Sequence, residues 1–155
     1  MSGPAATAST DSAALPGKGW VSAETGRSGF RTRLSARKHE AFADEPLDVG
    51  GTDTGPTPYE YLLGALAGCM AMTLRMYADR KRWPLERVRI SVRSGRSHEK
   101  DCAQCDVEDV GMHDIERRIE LTGPLTDEQR KRLMEIADRC PVKQTLQREL
   151  RIVDG

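Results

Sequence analysis

The sequence lacks a net charge. Its 24 lysine and arginine residues are balanced by 24 aspartate and glutamate residues, so the formal charge at pH 7 is zero. A protein that holds nucleic acid or an anionic membrane surface needs an excess of basic residues to neutralise phosphates. The balance therefore argues against both classes of partner. The length of 155 residues suits one domain with a hydrophobic core of its own.

The sequence also lacks a secretory signal and a long hydrophobic run. Residues 1–16 are small and polar, without the basic start and apolar block of a signal peptide. We predict that they form a disordered extension ahead of a single domain over residues 17–155. The apolar stretch LLGALAGCMAMTL, residues 62–74, falls short of the roughly 20 apolar residues that cross a bilayer. We therefore expect a soluble, cytoplasmic protein.

Cysteine is scarce. The four cysteines, which are Cys69, Cys102, Cys105 and Cys140, are too few for a small domain held together by disulfides. In a reducing cytosol they instead indicate metal or redox chemistry.

What is present predicts an α+β protein, because short strands and helices do not alternate regularly along the chain. Patterns of apolar residues predict three strands, a glycine- and proline-rich loop, a long helix, two strands, two helices and a last strand. The predicted strands lie near residues 20–23, 30–35, 40–43, 87–93, 113–121 and 149–153, and the predicted helices cover residues 58–81, 126–140 and 140–146.

The long helix has clear start signals. Thr57 is the predicted N-cap, Pro58 fits the first helical position, and Glu60 completes a capping box. The middle of this helix is apolar on every face, so we expect it to be surrounded by protein. The small residues Gly64, Ala67, Gly68 and Ala71 share one face, which indicates a close crossing with another helix, in this chain or in a second one.

Two cysteines fall on predicted helices, and each has two interpretations. Cys69 is either a small apolar residue packed in a core or a thiol that its helix presents. Cys140 is either a turn residue before proline or a thiol at a helix start, where backbone N–H groups lower the thiol pKa. The residues alone leave both alternatives open.

Residues 44–90, which contain DVGGTDTGPTPYEYLLGALAGCMAM, and residues 136–146, IADRCPVKQTL, resemble the OsmC-like family. This family includes relatives of the osmotically induced and organic hydroperoxide resistance proteins. The resemblance extends over roughly residues 20–153. It implies an intertwined homodimer in which antiparallel sheets wrap around long central helices.

The resemblance also implies site residues. Cys69 matches the cysteine that attacks the peroxide, and Cys140 matches the one that resolves the sulfenic acid as a disulfide. An external dithiol or lipoyl-type reductant would then regenerate both thiols. Arg27, in a predicted early hairpin, matches the segment that carries the family's catalytic arginine. Where the peroxidases usually have their glutamate this chain has Tyr59, and Glu60 one position later is the remaining candidate.

A second cysteine motif lies in HEKDCAQC, residues 98–105. His98, Cys102 and Cys105 supply three zinc-type ligands, whereas a structural zinc site needs four, and the fourth would have to be His113 or Asp106. A dithiol redox switch and two incidental thiols are the alternatives. We expect no cofactor, with zinc as the less favoured outcome.

Two functional hypotheses follow. In the first, the protein is a thiol-dependent peroxidase that reduces organic hydroperoxides through a Cys69 sulfenic acid and a Cys69–Cys140 disulfide. In the second, it is a non-enzymatic redox-sensing or small-ligand-binding member of the family. The presence of both cysteines favours the first hypothesis, and the absence of a glutamate at position 59 favours the second.

Overall fold

The computed structural model describes residues 17–95, 111–112 and 114–154. The chain divides into two compact units, one that ends at Gly55 and one that begins at Pro56. Antiparallel sheets and helices make up these units, so the predicted α+β class is confirmed. The predicted extension over residues 1–16 lies outside the described residues, and a single domain over residues 17–155 stays a prediction.

The first unit is a three-stranded antiparallel sheet. Its strands are β1 (Val21–Thr25), β2 (Thr32–Ala36) and β3 (His39–Ala43), in that spatial order. Each strand follows its predecessor through a short connection, so neighbours in sequence are neighbours in the sheet. A single 3-10 turn, Leu47–Val49, follows β3.

A buried carboxylate organises the loop after β3. Asp44 is only 2% exposed, and its Oδ2 accepts hydrogen bonds from the backbone N–H and the hydroxyl of both Thr52 and Thr54. Its Oδ1 accepts from the N–H of Glu45 at 2.8 Å. The loop also needs glycine at Gly51, where an added Cβ would lie 1.8 Å from the Glu45 carbonyl oxygen. The loop, although rich in glycine and aspartate, is therefore held in one conformation by hydrogen bonds to Asp44.

The second unit contains the long helix. Its elements are α1 (Pro58–Lys81), β4 (Arg87–Arg93), β5 (Glu116–Thr122), α2 (Asp127–Ala137) and α3 (Pro141–Leu146). Strands β4 and β5 pair antiparallel, with Ile90 opposite Ile119. Helices α1 and α2 pack against each other and against the apolar face of this ribbon. The main core contains Leu74, Ala78, Leu85, Leu125, Leu133, Ile136 and Ala137.

The start of α1 is as predicted. The Thr57 hydroxyl accepts from the Glu60 N–H at 3.3 Å, and the Glu60 carboxylate accepts from the Thr57 N–H at 2.8 Å. Pro58 is the first helical residue, where its missing N–H leaves no hydrogen bond unmade. The predicted capping box and helix bounds are therefore confirmed.

Within the protomer only one face of α1 is buried. Leu66, Met70, Leu74 and Ala78, spaced four residues apart, face the interior. The opposite face leaves Met72 68% and Met76 63% exposed. By length and composition α1 would also suffice to cross a membrane, but its buried face packs on β4 and α2. The described residues therefore cover one face of α1, and cover of its other face by protein stays a prediction.

The predicted last strand is wrong. Residues 149–153 form no strand, and Leu150, Ile152 and Val153 are largely exposed. A strand needs a neighbour for its backbone N–H and C=O groups. Among residues 17–95, 111–112 and 114–154 no segment pairs with these five, so their alternating pattern alone does not produce a strand.

Candidate functional site

Helix α1 places Cys69 near its middle, on the side that α3 approaches. The thiol is half-buried, and the carbonyl oxygen of Cys69 accepts a hydrogen bond from the Thr73 hydroxyl at 2.8 Å. Cys69 lines a shallow, largely apolar groove of about 480 Å³. Its other walls include Gly64, Gly68, Met72, Met76 and Pro141. The groove gives an apolar molecule access to this cysteine.

Cys140 lies at the turn between α2 and α3 and is fully buried. It is the N-cap residue of α3, and Pro141 occupies the first helical position, as predicted. Its side chain belongs to a small cluster with Leu66 and Met70, against which Cys69 and Val142 also pack. The two helical cysteines, far apart in sequence, therefore meet in one cluster.

The Cys69 and Cys140 side chains are neighbours in this cluster. Both are free thiols. Two neighbouring thiols can be joined as a reversible disulfide when one of them is oxidised.

Burial raises the pKa of the Cys140 thiol, and the neighbouring Cys69 side chain raises it further. The backbone N–H groups of Val142 and Lys143 act in the opposite direction but do not prevail. The sequence-based interpretation, in which the helix start lowers the thiol pKa, is therefore wrong in direction. Removal from water disfavours the thiolate more than the first N–H groups of a six-residue helix favour it.

A group of three charged residues lies beside Cys140. We call Arg117, Asp138 and Lys143 the Asp138 cluster. The Asp138 Oδ1 accepts from Arg117 Nη2 at 2.6 Å and from Lys143 Nζ. The ammonium of Lys143 and then the guanidinium of Arg117 hold the pKa of Asp138 below its usual range, so its carboxylate is charged at neutral pH.

A second cavity, of about 610 Å³, lies on the buried side of α1. Apolar side chains form most of its wall, and Arg117 and Lys143 of the Asp138 cluster contribute two cations. The lining residues are Tyr59, Leu62, Leu66, Met70, Gly111, Met112, Asp114, Ile115, Arg117, Lys143, Leu146 and Gln147. Neither Cys69 nor Cys140 lines this cavity.

The other two predicted site residues lie elsewhere in the chain. Arg27 is exposed in the connection between β1 and β2 of the first unit. The Glu60 carboxylate is engaged in the capping box at the start of α1. Nine residues separate Glu60 from Cys69, which corresponds to about 13 Å along a helix axis. Catalytic roles for Arg27 and Glu60 stay predictions.

The predicted metal ligands His98, Cys102 and Cys105, with His113 and Asp106 as completing residues, lie outside the described residues. Among residues 17–95, 111–112 and 114–154, no group of three or more His, Cys, Asp or Glu side chains is arranged to hold a metal ion.

Sequence reasoning missed the Asp138 cluster. Its members come from β5, the turn after α2, and α3, so no helical or strand period relates them. The one local signal is that Asp138 follows α2 and Lys143 lies five residues later, on the next helix. Whether Asp138 and Lys143 form an ion pair can be predicted only when the angle between α2 and α3 is known.

Solved structures with the same fold support the assignment of this architecture. An OsmC-like protein from Mycoplasma pneumoniae matches with a TM-score of 0.69 at 22% identity, over 86% of this chain and 89% of that one. An organic hydroperoxide resistance protein from Legionella pneumophila matches with a TM-score of 0.60 at 18% identity, over 83% and 88%. One from Elizabethkingia anophelis matches with a TM-score of 0.61 at 17% identity, over 82% and 86%.

Comparison with curated protein sequences finds no significant match. The sequence model of the OsmC-like protein family, in contrast, matches residues 51–153. That range includes all of the second unit's helices and strands and both of the neighbouring cysteines, Cys69 and Cys140. The chain therefore belongs to the OsmC-like protein family.

Proposed function

We propose that this protein is a thiol-dependent peroxidase that reduces organic hydroperoxides, with a role in the response to hydroperoxide stress. One observation carries the proposal: Cys69 and Cys140 pack in one cluster, with the first half-buried beside an apolar groove and the second fully buried. A partly accessible attacking thiol next to a protected resolving thiol is the arrangement that a two-cysteine peroxidase needs.

The proposed cycle has three steps. The Cys69 thiolate attacks the terminal oxygen of the hydroperoxide, the O–O bond breaks, and the departing alkoxide takes up a proton to become an alcohol. The Cys140 sulfur then attacks the Cys69 sulfenic acid, hydroxide leaves, and the Cys140 proton converts it to water. An external dithiol, of the lipoyl type or similar, finally reduces the disulfide and becomes oxidised itself.

The groove supports an organic substrate. Gly64 and Gly68 leave open space beside Cys69, since an added Cβ at either position would meet no atom within 4 Å. Met72 and Met76 supply flexible apolar walls. A hydrophobic peroxide therefore gains binding free energy that hydrogen peroxide does not. Arg27 and Glu60 enter this proposal only through the family resemblance, as the residues that would polarise the peroxide.

We also propose a cytoplasmic homodimer. The exposed apolar face of α1 would pack against the same face of a second copy, as a two-fold axis requires. Such packing would close the open side of the groove beside Cys69, so that the proposed substrate site would lie between the two copies, with Met72 and Met76 at the interface.

A second candidate function is redox sensing or ligand binding without turnover. Two observations favour it: Tyr59 stands in place of the glutamate, and the Glu60 carboxylate is engaged in the capping box. In addition, burial raises rather than lowers the pKa of Cys140. In this account an oxidant converts the two thiols to a disulfide slowly, and that change is the signal.

Peroxide consumption by the purified protein separates the two functions. We would compare cumene hydroperoxide with hydrogen peroxide, supply dihydrolipoamide, and test the wild type beside Cys69→Ser and Cys140→Ser. The double variant Cys102→Ser/Cys105→Ser is the matched control. It removes two thiols, where each test variant removes one, but leaves Cys69 and Cys140 intact.

The peroxidase proposal expects fast loss of the organic peroxide in the wild type and the control, and none above buffer in Cys69→Ser. Cys140→Ser should consume one equivalent to form the Cys69 sulfenic acid and a second, more slowly, as that acid is oxidised to sulfinic acid, and then stop. A folded wild type that consumes no peroxide, but slowly forms the disulfide with an added oxidant, would overturn the peroxidase proposal in favour of sensing.

A further inference from the structure

Asp138 connects three parts of the second unit at the position where Cys140 is held. It follows α2 directly and precedes Cys140 by two residues. Its carboxylate accepts hydrogen bonds from Arg117 of β5 and Lys143 of α3, and its backbone carbonyl accepts one from Gln144 Nε2 at 2.9 Å. The turn that carries Cys140 is therefore tied both to the sheet and to the helix that follows.

Arg117 also contacts the helix that carries Cys69. Its Nη2 binds Asp138, while its Nη1 lies 4.0 Å from the sulfur of Met70. Met70 follows Cys69 directly in α1, is 1% exposed, and belongs to the same buried cluster as Cys140. A continuous set of contacts thus runs from the Cys69 segment through Arg117 and Asp138 to the Cys140 segment.

We propose that Asp138 is a positioning residue that keeps the Cys140 sulfur directed at Cys69 for disulfide formation. The proposal rests on the proposed function, because it concerns the resolving step of that cycle. Asp138 takes no part in the chemistry itself. It acts by fixing the backbone between α2 and α3, with Arg117 and Lys143 as its two anchors.

The step in question has strict geometric demands. The Cys140 sulfur must approach the Cys69 sulfenic acid along the S–O bond, so that the S–S bond forms as hydroxide leaves and becomes water with the Cys140 proton. A displacement of about 1 Å in such a reaction lowers the rate by up to about 100-fold. The preceding attack on peroxide does not use the Cys140 thiol, so it does not depend on where Cys140 points.

The first test uses Asp138→Asn, which keeps the shape of the side chain but removes its charge. Glu135→Gln is the matched control, because Glu135 lies three residues earlier and forms a comparable ion pair with Arg132 on the exposed side of α2. Each protein is mixed with cumene hydroperoxide and quenched with a sulfenic acid trap. Mass spectrometry then follows the sulfenic acid, the disulfide and the sulfinic acid on Cys69.

The proposal expects sulfenic acid to form at the wild-type rate in Asp138→Asn, while disulfide formation is about 10–100-fold slower and sulfinic acid accumulates. Glu135→Gln should match the wild type in every step. A purely structural role would slow both steps together or lower the folded fraction. Disulfide formation at the wild-type rate in folded Asp138→Asn would overturn the proposal.

Lys143→Met provides a second variant if Asp138→Asn does not fold. It removes one of the two anchors and keeps an apolar stem of similar length, so we expect a smaller slowing of the same step. An unchanged rate of disulfide formation in this variant would count against the proposal in the same way.

A measurement without peroxide separates this proposal from the proposed function. In a glutathione redox buffer, oxidised glutathione takes electrons from the two thiols and leaves a Cys69–Cys140 disulfide and two reduced glutathiones. We expect Asp138→Asn to shift this equilibrium about tenfold towards the dithiol. That shift in a protein that consumes no peroxide would retain the positioning role and reject the peroxidase. An unshifted equilibrium, with normal peroxide turnover, would reject only the positioning role.

Discussion

The exposed apolar face of α1 leads to a quantitative prediction about assembly. If this face is buried between two copies of the chain, replacing its two most exposed methionines with serine should weaken the dimer strongly. The perturbation is the double variant Met72→Ser/Met76→Ser. Both residues are on the far side of α1 from the core, so the change removes apolar surface without opening a cavity in the protomer.

The magnitude follows from the exposed fractions. Complete burial of a methionine side chain is worth about 1.5–3 kcal/mol. With 68% of Met72 and 63% of Met76 exposed, burial at an interface would contribute about 1–2 kcal/mol for each. A two-fold dimer contains each residue twice, so the double variant should lose about 4–8 kcal/mol of association free energy. This corresponds to a rise of about 10³–10⁶-fold in the dissociation constant.

Sedimentation velocity over a range of protein concentrations measures this constant. Met134→Ser is the matched control, since Met134 is also an exposed methionine but lies on α2, away from the face in question. We expect a dimeric wild type, a dimeric control and a double variant that is monomeric at micromolar concentration. A wild type that is monomeric at tens of micromolar, or a double variant as dimeric as the control, would refute the reasoning.

Two further predictions concern the protomer itself. Because burial raises the pKa of Cys140, its protonated thiol stabilises the fold below the ordinary thiol value of about 8.5, and this contribution is lost as pH rises through the raised value. Urea unfolding between pH 7 and 10 under reducing conditions should therefore show a decline that Cys140→Ala flattens, and an equal slope in both proteins would contradict the assignment. Gly51→Ala should destabilise by about 3 kcal/mol or more because of its backbone clash, whereas Gly26→Ala, with nothing within 4 Å, serves as the control in thermal melting. Equal melting temperatures for these two variants would be inconsistent with the loop structure.

Much of the second unit could be predicted from the sequence because its signals are local. The capping box of Thr57 and Glu60 and the proline at helix start are satisfied within one turn, and they define where α1 begins. Alternation in β4 and the N-cap at Cys140 are likewise local properties. The order of the cysteine motifs also placed the chain in its family before any contact was known.

The remaining features depend on partners that are distant in sequence. The pKa of Cys140 is set by burial among Leu66 and Met70, so the helix start alone gave the wrong direction. Residues 149–153 alternate like a strand, yet strand formation requires a neighbour that alternation does not supply. The all-round apolarity of α1 indicated cover by protein, in this chain or in a second one, and the protomer covers one face. In each case the sequence does not tell which distant segment packs against the residues concerned.

The Asp44 loop has a consequence for behaviour in acid. Hydrogen bonds from Thr52 above all, with those from Thr54 and Glu45, hold the pKa of Asp44 well below its usual range, although burial acts against them. The stabilisation is therefore fully present above the ordinary aspartate value of about 3.9 and is lost only as pH falls through the depressed value. The loop that leads into α1 should accordingly keep its structure at mildly acidic pH, because the Asp44 carboxylate stays charged and keeps its hydrogen bonds there.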